Sequence, residues 1–193
     1  MERYEPIDVI RKWNKVIISF KNSLEHNNLN LNEAPFLRAL SDTIIVTIPT
    51  DASFDYIINK AFDLLIKPFI ESLRIGMLLR GAISYGRYYL SDRLIIGPAL
   101  DDAAFHHDKL NWIGISLSPS LDINANNMIS TNTCIYYNDI PHKDSHYSSF
   151  VLNWPIFDIN GECYMILQQE SVKVSESVKE KYSNTFKFYQ NMF

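Results

Sequence analysis

A chain of 193 residues, 47% hydrophobic and 13% aromatic, holds enough apolar material for a single globular core, which excludes a disordered polymer. Its formal net charge is -4, with Lys and Arg spread along its length; this excludes a general nucleic-acid binder and leaves room for one nucleotide in a pocket. The opening MERYEPIDVIRKWNK lacks an apolar signal core and no run approaches ~18 apolar residues, so the sequence predicts a soluble, cytoplasmic protein without a membrane partner.

The first predicted element is an amphipathic helix over 7–25, where Ile10, Trp13, Ile17, Phe20 and Leu24 recur at three- and four-residue steps behind Pro6. An Asn-rich loop, EHNNLNLNEAP, leads to LRALSDTIIVTIP, which reads as one strand rich in Ile, Val and Thr and ended by Pro49. A second helix is predicted over about 53–75, with Ser53 as N-cap, Gly76 as the stop, and Pro68 expected to kink or split it. Residues 77–90 and 93–97 read as a hairpin turning at Ser91-Asp92, followed by a short helix from about Asp101 to Lys109 and a strand in WIGISLS. Long loops are expected from 122 to 150 around the strand CIYYNDI, and a terminal helix over about 172–191. This order predicts an α+β fold, with helices packed on an antiparallel-dominated sheet. Cys134 and Cys163 stand in unrelated contexts, outside any CxxC pattern, so neither a disulfide framework nor a zinc site is expected.

Several residues stand out for chemistry. Asp42 begins the IIVTIP run, where a carboxylate is costly to bury unless paired or bound to a metal; the plainer reading is a turn cap. Gly81 and Gly86 let a backbone or ligand approach closely, and Arg80 and Arg87 beside them could meet phosphate or simply face solvent. Gly97-Pro98 ends a strand and opens a helix whose free amides attract anions, whereas Asp101 and Asp102 serve as helix caps and repel phosphate. His106 and His107, adjacent on a helix, cannot both face one site and read as ordinary surface or partly buried residues.

In order and spacing, SDTIIVTIP, LRGAISYG, IIGPALDDAA and WIGISLS resemble the catalytic core of the class III nucleotidyl cyclases. The similar group is the small stand-alone bacterial one that includes the pyrimidine cyclases of antiphage signalling. The likeness covers about residues 36–121, with NWP (153–155) and KYSNTFKF (181–188) having the look of the same group. It implies one cyclase-like domain over 1–193 with a C-terminal extension from about 122, built on a ferredoxin-like sheet. It also implies a homodimer, because the family's active sites form between two subunits. The family's chemistry uses Mg or Mn held by two aspartates on neighbouring strands, orienting the 3′-hydroxyl and the triphosphate for in-line attack.

Carried onto this chain, the resemblance gives Asp42 as the second metal-binding aspartate and Arg80, Gly81 and Gly97 as substrate-binding positions. The first aspartate would lie in a strand before the first helix, in a stretch resembling Asp-Ile-x-Gly-Phe; the chain begins at that helix, and Asp8 is the nearby acid. At the transition-state positions Asp101 stands where Asn is usual, as the catalytic candidate, and Phe105 stands where Arg is usual. Two functions follow: a cyclase converting a nucleoside triphosphate to a cyclic nucleotide, with the missing metal ligand supplied from elsewhere or from an upstream start, or a degenerate relative that binds a nucleotide or partner protein without turnover. A bare dimerisation module is the third. The resemblance places Asp42 close to the start of the 81–90 strand. The dimer contact is expected in RYYLSDRLII, where Tyr88 and Tyr89 cannot both point into one core.

Overall fold

The computed structural model describes residues 6–26, 35–49, 51–91, 94–121 and 130–193. Among these, five α-helices and eight strands form a mixed α+β fold with three separate sheets. Helix α1 (Pro6–His26) packs on α2 (Phe54–Arg74); α2 buries its apolar stripe, whereas α1 buries Val16, Ser19, Phe20 and Ser23, leaves Trp13, Ile17 and Leu24 half-buried, and exposes Ile10. Pro68 lies buried inside α2, which runs through it unbroken. A proline cannot donate to the carbonyl four residues back; here that carbonyl, Leu64 O, accepts the Ser23 hydroxyl of α1 at 2.6 Å instead.

LRALSDTIIVTIP is two strands, not one. β1 (Phe36–Leu40) and β2 (Thr43–Thr47) pair antiparallel around Ser41-Asp42, with Ser41 at φ 55. Asp42 is therefore a turn residue, and its exposed carboxylate carries no burial cost. The 77–97 hairpin is also redrawn: β3 (Gly81–Ile83) leaves for another sheet, while β4 (Tyr89–Leu90) and β5 (Ile95–Ile96) pair alone. Helix α3 (Pro98–Lys109) starts at Pro98, ahead of the expected Asp101.

The central sheet has the order β3-β6-β8-β7, where β6 is Ile115–Leu117, β7 is Cys134–Pro141 and β8 is His146–Leu152. β3 and β6 are parallel; β6–β8 and β7–β8 are antiparallel. The polar-looking HYSSFVL is thus a strand, its last four residues buried. The segment beyond 122 joins this sheet through β7 and β8. Two helices close the chain: α4 (Glu162–Ser171), over a stretch to which the sequence assigns no element, and α5 (Glu176–Asn191).

The main core lies between the central sheet and helices α2, α4 and α5. Phe62, Phe69, Trp112, Trp154 and Phe188 are almost wholly buried there, and Trp112 stacks on Tyr137 with 7° between ring planes. Helix α5 is fastened to the 111–113 turn: Thr185 Oγ1 accepts the Ile113 amide at 2.9 Å, and Asn184 Nδ2 donates to the Asn111 carbonyl at 2.9 Å.

Candidate functional site

A cleft of about 680 Å³ opens between β2 and β3, in the size range of small-ligand pockets. Residues Asp42–Ile48 form one wall and Leu79–Tyr88 the other. Apolar side chains of α1 and α2, among them Trp13, Phe20, Ile58 and Leu65, line its interior. Helix α3 contributes Ala99, Leu100, Ala103, Ala104 and His107, a helical repeat of small residues that ends in an imidazole.

Asp42 and the RGAISYG segment therefore border one space, as the resemblance implies. Arg80 and Gly81 line it too. Gly81 is not required by packing, since an added Cβ would meet Ile115 Cγ1 at an ordinary 3.4 Å. Gly97 and Asp101 do not line the cleft. Gly97 is at φ 146, and a Cβ there would come within 2.6 Å of Tyr88 Cα and 2.8 Å of the Arg87 carbonyl. Its glycine is thus a backbone requirement of the β5–α3 junction, also tied by the Ala99 amide on the Arg87 carbonyl at 3.3 Å and by Ser84 Oγ on the Ala99 carbonyl. Asp101 is exposed in the first turn of α3. Phe105 is 56% exposed and stands under the Lys109 ammonium, 3.9 Å from the ring centre. Asp8 is exposed on α1, paired with Arg11 at 3.5 Å.

One end of the cleft is basic. Arg80 Nη1 donates to the carbonyls of Asp108 (3.2 Å) and Leu110 (2.8 Å), and Nη2 lies 3.6 Å from the Asp108 carboxylate. The guanidinium therefore closes the C-terminal end of α3, where carbonyls lack helical partners and the dipole favours a cation. Lys143 Nζ reaches the same Asp108 at 3.0 Å and, through that hydrogen bond, holds its carboxyl below the usual range. Burial, and then repulsion from Arg80 and Lys143, lower the Lys181 pKa. His107 is lowered too, by burial first and then by Arg80, against the opposing pull of Asp108 and Asp42. It escaped the sequence reading because adjacent histidines looked equivalent. The face of α3 separates them: His107 turns to the cleft, while His106 meets Asp102 at 3.4 Å and stacks on His142.

The metal pair that the resemblance implies does not fit this donor set. Asp42 is the single carboxylate among the described lining residues, and no group of three or more His, Cys, Asp or Glu among the described residues is arranged to hold an ion. Also among the described residues, no helix is long and apolar enough to cross a membrane.

The chain matches no protein-family model, no curated protein and no solved structure.

Proposed function

We propose that this chain is a class III cyclase-like domain that holds a nucleoside triphosphate at the basic end of the cleft and does not turn it over. The observation that carries the reading is convergence: Asp42 and the Arg80-Gly81 pair come from two separate sequence motifs and border one space, closed by Ala99, Ala103 and His107 of α3. Arg80 and Arg87 outnumber the one acid among the described lining residues, which suits a polyanion. The scaffold in this reading is the family's ferredoxin-like sheet, and Gly97 serves it through backbone geometry. Turnover is set aside because two-metal attack on phosphorus needs a second carboxylate near Asp42, and Asp101 is outside the cleft. Phe105 also stands where the family has Arg at the transition-state position, and loss of one such preorganised group costs ~10²–10³ in rate.

In this reading the domain works as a homodimer. Tyr89, Leu94 and Ile96 are 58%, 46% and 51% exposed on or beside the β4–β5 hairpin, an apolar patch within the expected RYYLSDRLII contact. The test combines calorimetric titration of ATP, GTP, CTP and UTP with chromatography of the same mixtures incubated with Mn²⁺. Saturable binding of a triphosphate without cyclic product is the expected result. Mn²⁺-dependent cyclisation lost in Asp42→Ala would establish the active enzyme instead, and absence of binding by all four nucleotides would leave the dimerisation module.

A further inference from the structure

We propose that the cleft accepts a β-strand donated by another polypeptide: an extended, apolar segment with a carboxylate at the end beside Arg80 and His107. The argument rests on two strand edges and is independent of nucleotide binding. β2 pairs with β1 in a two-stranded sheet, and β3 is outermost in the four-stranded one. Each therefore leaves one edge without a strand among the described residues, and both edges border the same cleft.

Register identifies the outward groups. The Gly81 amide donates to the Gly114 carbonyl at 2.9 Å and the Ser118 amide to the Ile83 carbonyl at 2.8 Å, so Gly81 and Ile83 face β6. By alternation Ala82 turns its N–H and C=O toward the cleft. In the β1–β2 hairpin the two-residue turn is closed by Leu40 and Thr43, a hydrogen-bonded position in such hairpins. Ile44 and Val46 then face outward as well.

The two edges run the same way. Arg80, at the head of β3, bonds the Asp108 and Leu110 carbonyls just past His107, and Asp42, at the head of β2, lines the cleft with both. Beyond the far ends of the same strands, Phe54 and Tyr85 meet edge to face at 5.3 Å. One strand set between β2 and β3 can thus pair with both and join two sheets into one, the β-augmentation mode of peptide recognition. Its side chains toward α1 and α2 would meet Trp13, Phe20, Ile58 and Leu65, which calls for apolar residues at alternate positions. Two guanidinium groups against one carboxylate in the described lining call for an acid in the guest.

The test titrates the full chain with the capped octapeptide acetyl-Val-Asp-Val-Thr-Val-Thr-Val-Thr-amide while amide hydrogen exchange is followed residue by residue. Exchange at Ile44, Val46 and Ala82 is expected to slow together, by roughly tenfold or more at saturation. A version N-methylated at alternate residues, which keeps the side chains and loses one edge of donors, should give no protection. An Asp-to-Asn version should bind about two- to fivefold more weakly, as an exposed charge contact does. Three results would overturn the proposal: no slowing up to about 1 mM peptide, equal action by the N-methylated peptide, or the three amides already protected in a peptide-free dimer. The last would assign the slot to a second copy of this chain. Nucleotide titrations are read separately, so their failure leaves this outcome untouched.

Discussion

The Ser23 hydroxyl donates to the Leu64 carbonyl, the group that Pro68 leaves without an intrahelical partner, and this bond between α1 and α2 keeps a 21-residue helix continuous. Both ends of the contact are buried, so losing the donor would strand a carbonyl away from water. Ser23→Ala is expected to cost about 1–3 kcal/mol, read as a lower denaturant midpoint at unchanged slope. Pro68→Ala restores the amide and should make the Ser23→Ala loss much smaller, so undiminished loss in the double variant would contradict the pairing.

Asp158, 3% exposed, is a second buried tie. Its two oxygens accept the Cys163 and Tyr164 amides at 2.9 and 3.0 Å and the Tyr189 hydroxyl at 3.3 Å, capping α4 and holding α5 to it. Asp158→Ala is expected to destabilise by roughly 1–3 kcal/mol, with exchange at the Cys163 and Tyr164 amides accelerated. A variant as stable as the parent would show that the cap does not hold the helices together.

Gly97→Ala places a methyl against the Tyr88 backbone at a positive φ. The expected cost is on the order of 1–3 kcal/mol. Gly81→Ala, which meets only ordinary contact with Ile115, should stay within about 0.5 kcal/mol of the parent. Thermal melts of the pair, side by side, check the contrast; equal melting points would refute it.

Arg80 closes the C-terminal end of α3 with two carbonyl bonds as well as facing the cleft. Arg80→Gln should therefore lower stability by about 1–2 kcal/mol and weaken triphosphate binding. Arg87→Gln, at an exposed residue, should affect binding alone. Normal stability in Arg80→Gln would show that the α3 carbonyls do not depend on it.

His106, His107 and His142 all sit below the ordinary histidine pKa of 6.5, burial being the first cause in each. Below that value the unfolded chain takes up protons that the folded chain resists, so the folded state binds fewer. Stability is therefore full above about pH 6.5 and declines as pH falls through it. Chemical denaturation at about pH 7.5 and 5.5 is expected to give the lower midpoint at the acid value, less so in the His106→Gln, His142→Gln double variant. A flat or rising profile would contradict it.

Where an element formed its own pattern, the sequence was enough. The helix α1, the stripe of α2, the strand CIYYNDI and the terminal helix follow from the spacing of apolar residues, because a helix or hairpin edge must bury one face whatever it packs on. The α+β class followed from their order. Asp42 in a turn was also legible, from the plainer of its two readings.

What depended on distant partners was not legible. Pro68 breaks a helix in isolation, and here the carbonyl it frees at Leu64 is taken by Ser23, 41 positions from that carbonyl. HYSSFVL looked like loop because its polar half is solvated at one end of a strand whose other end is buried between β6 and β7. His107 became a cleft residue, and Asp101 an outside one, through the rotation of α3 against β3, which no local spacing encodes. The sequence by itself determined the helices α1, α2, α3 and α5 and the extended runs of β2 and β7, since those rest on contacts within a few residues. The tertiary structure alone decided which strand edges are unpaired among the described residues and which charges share a space, since those rest on strands and side chains brought together from tens of residues apart.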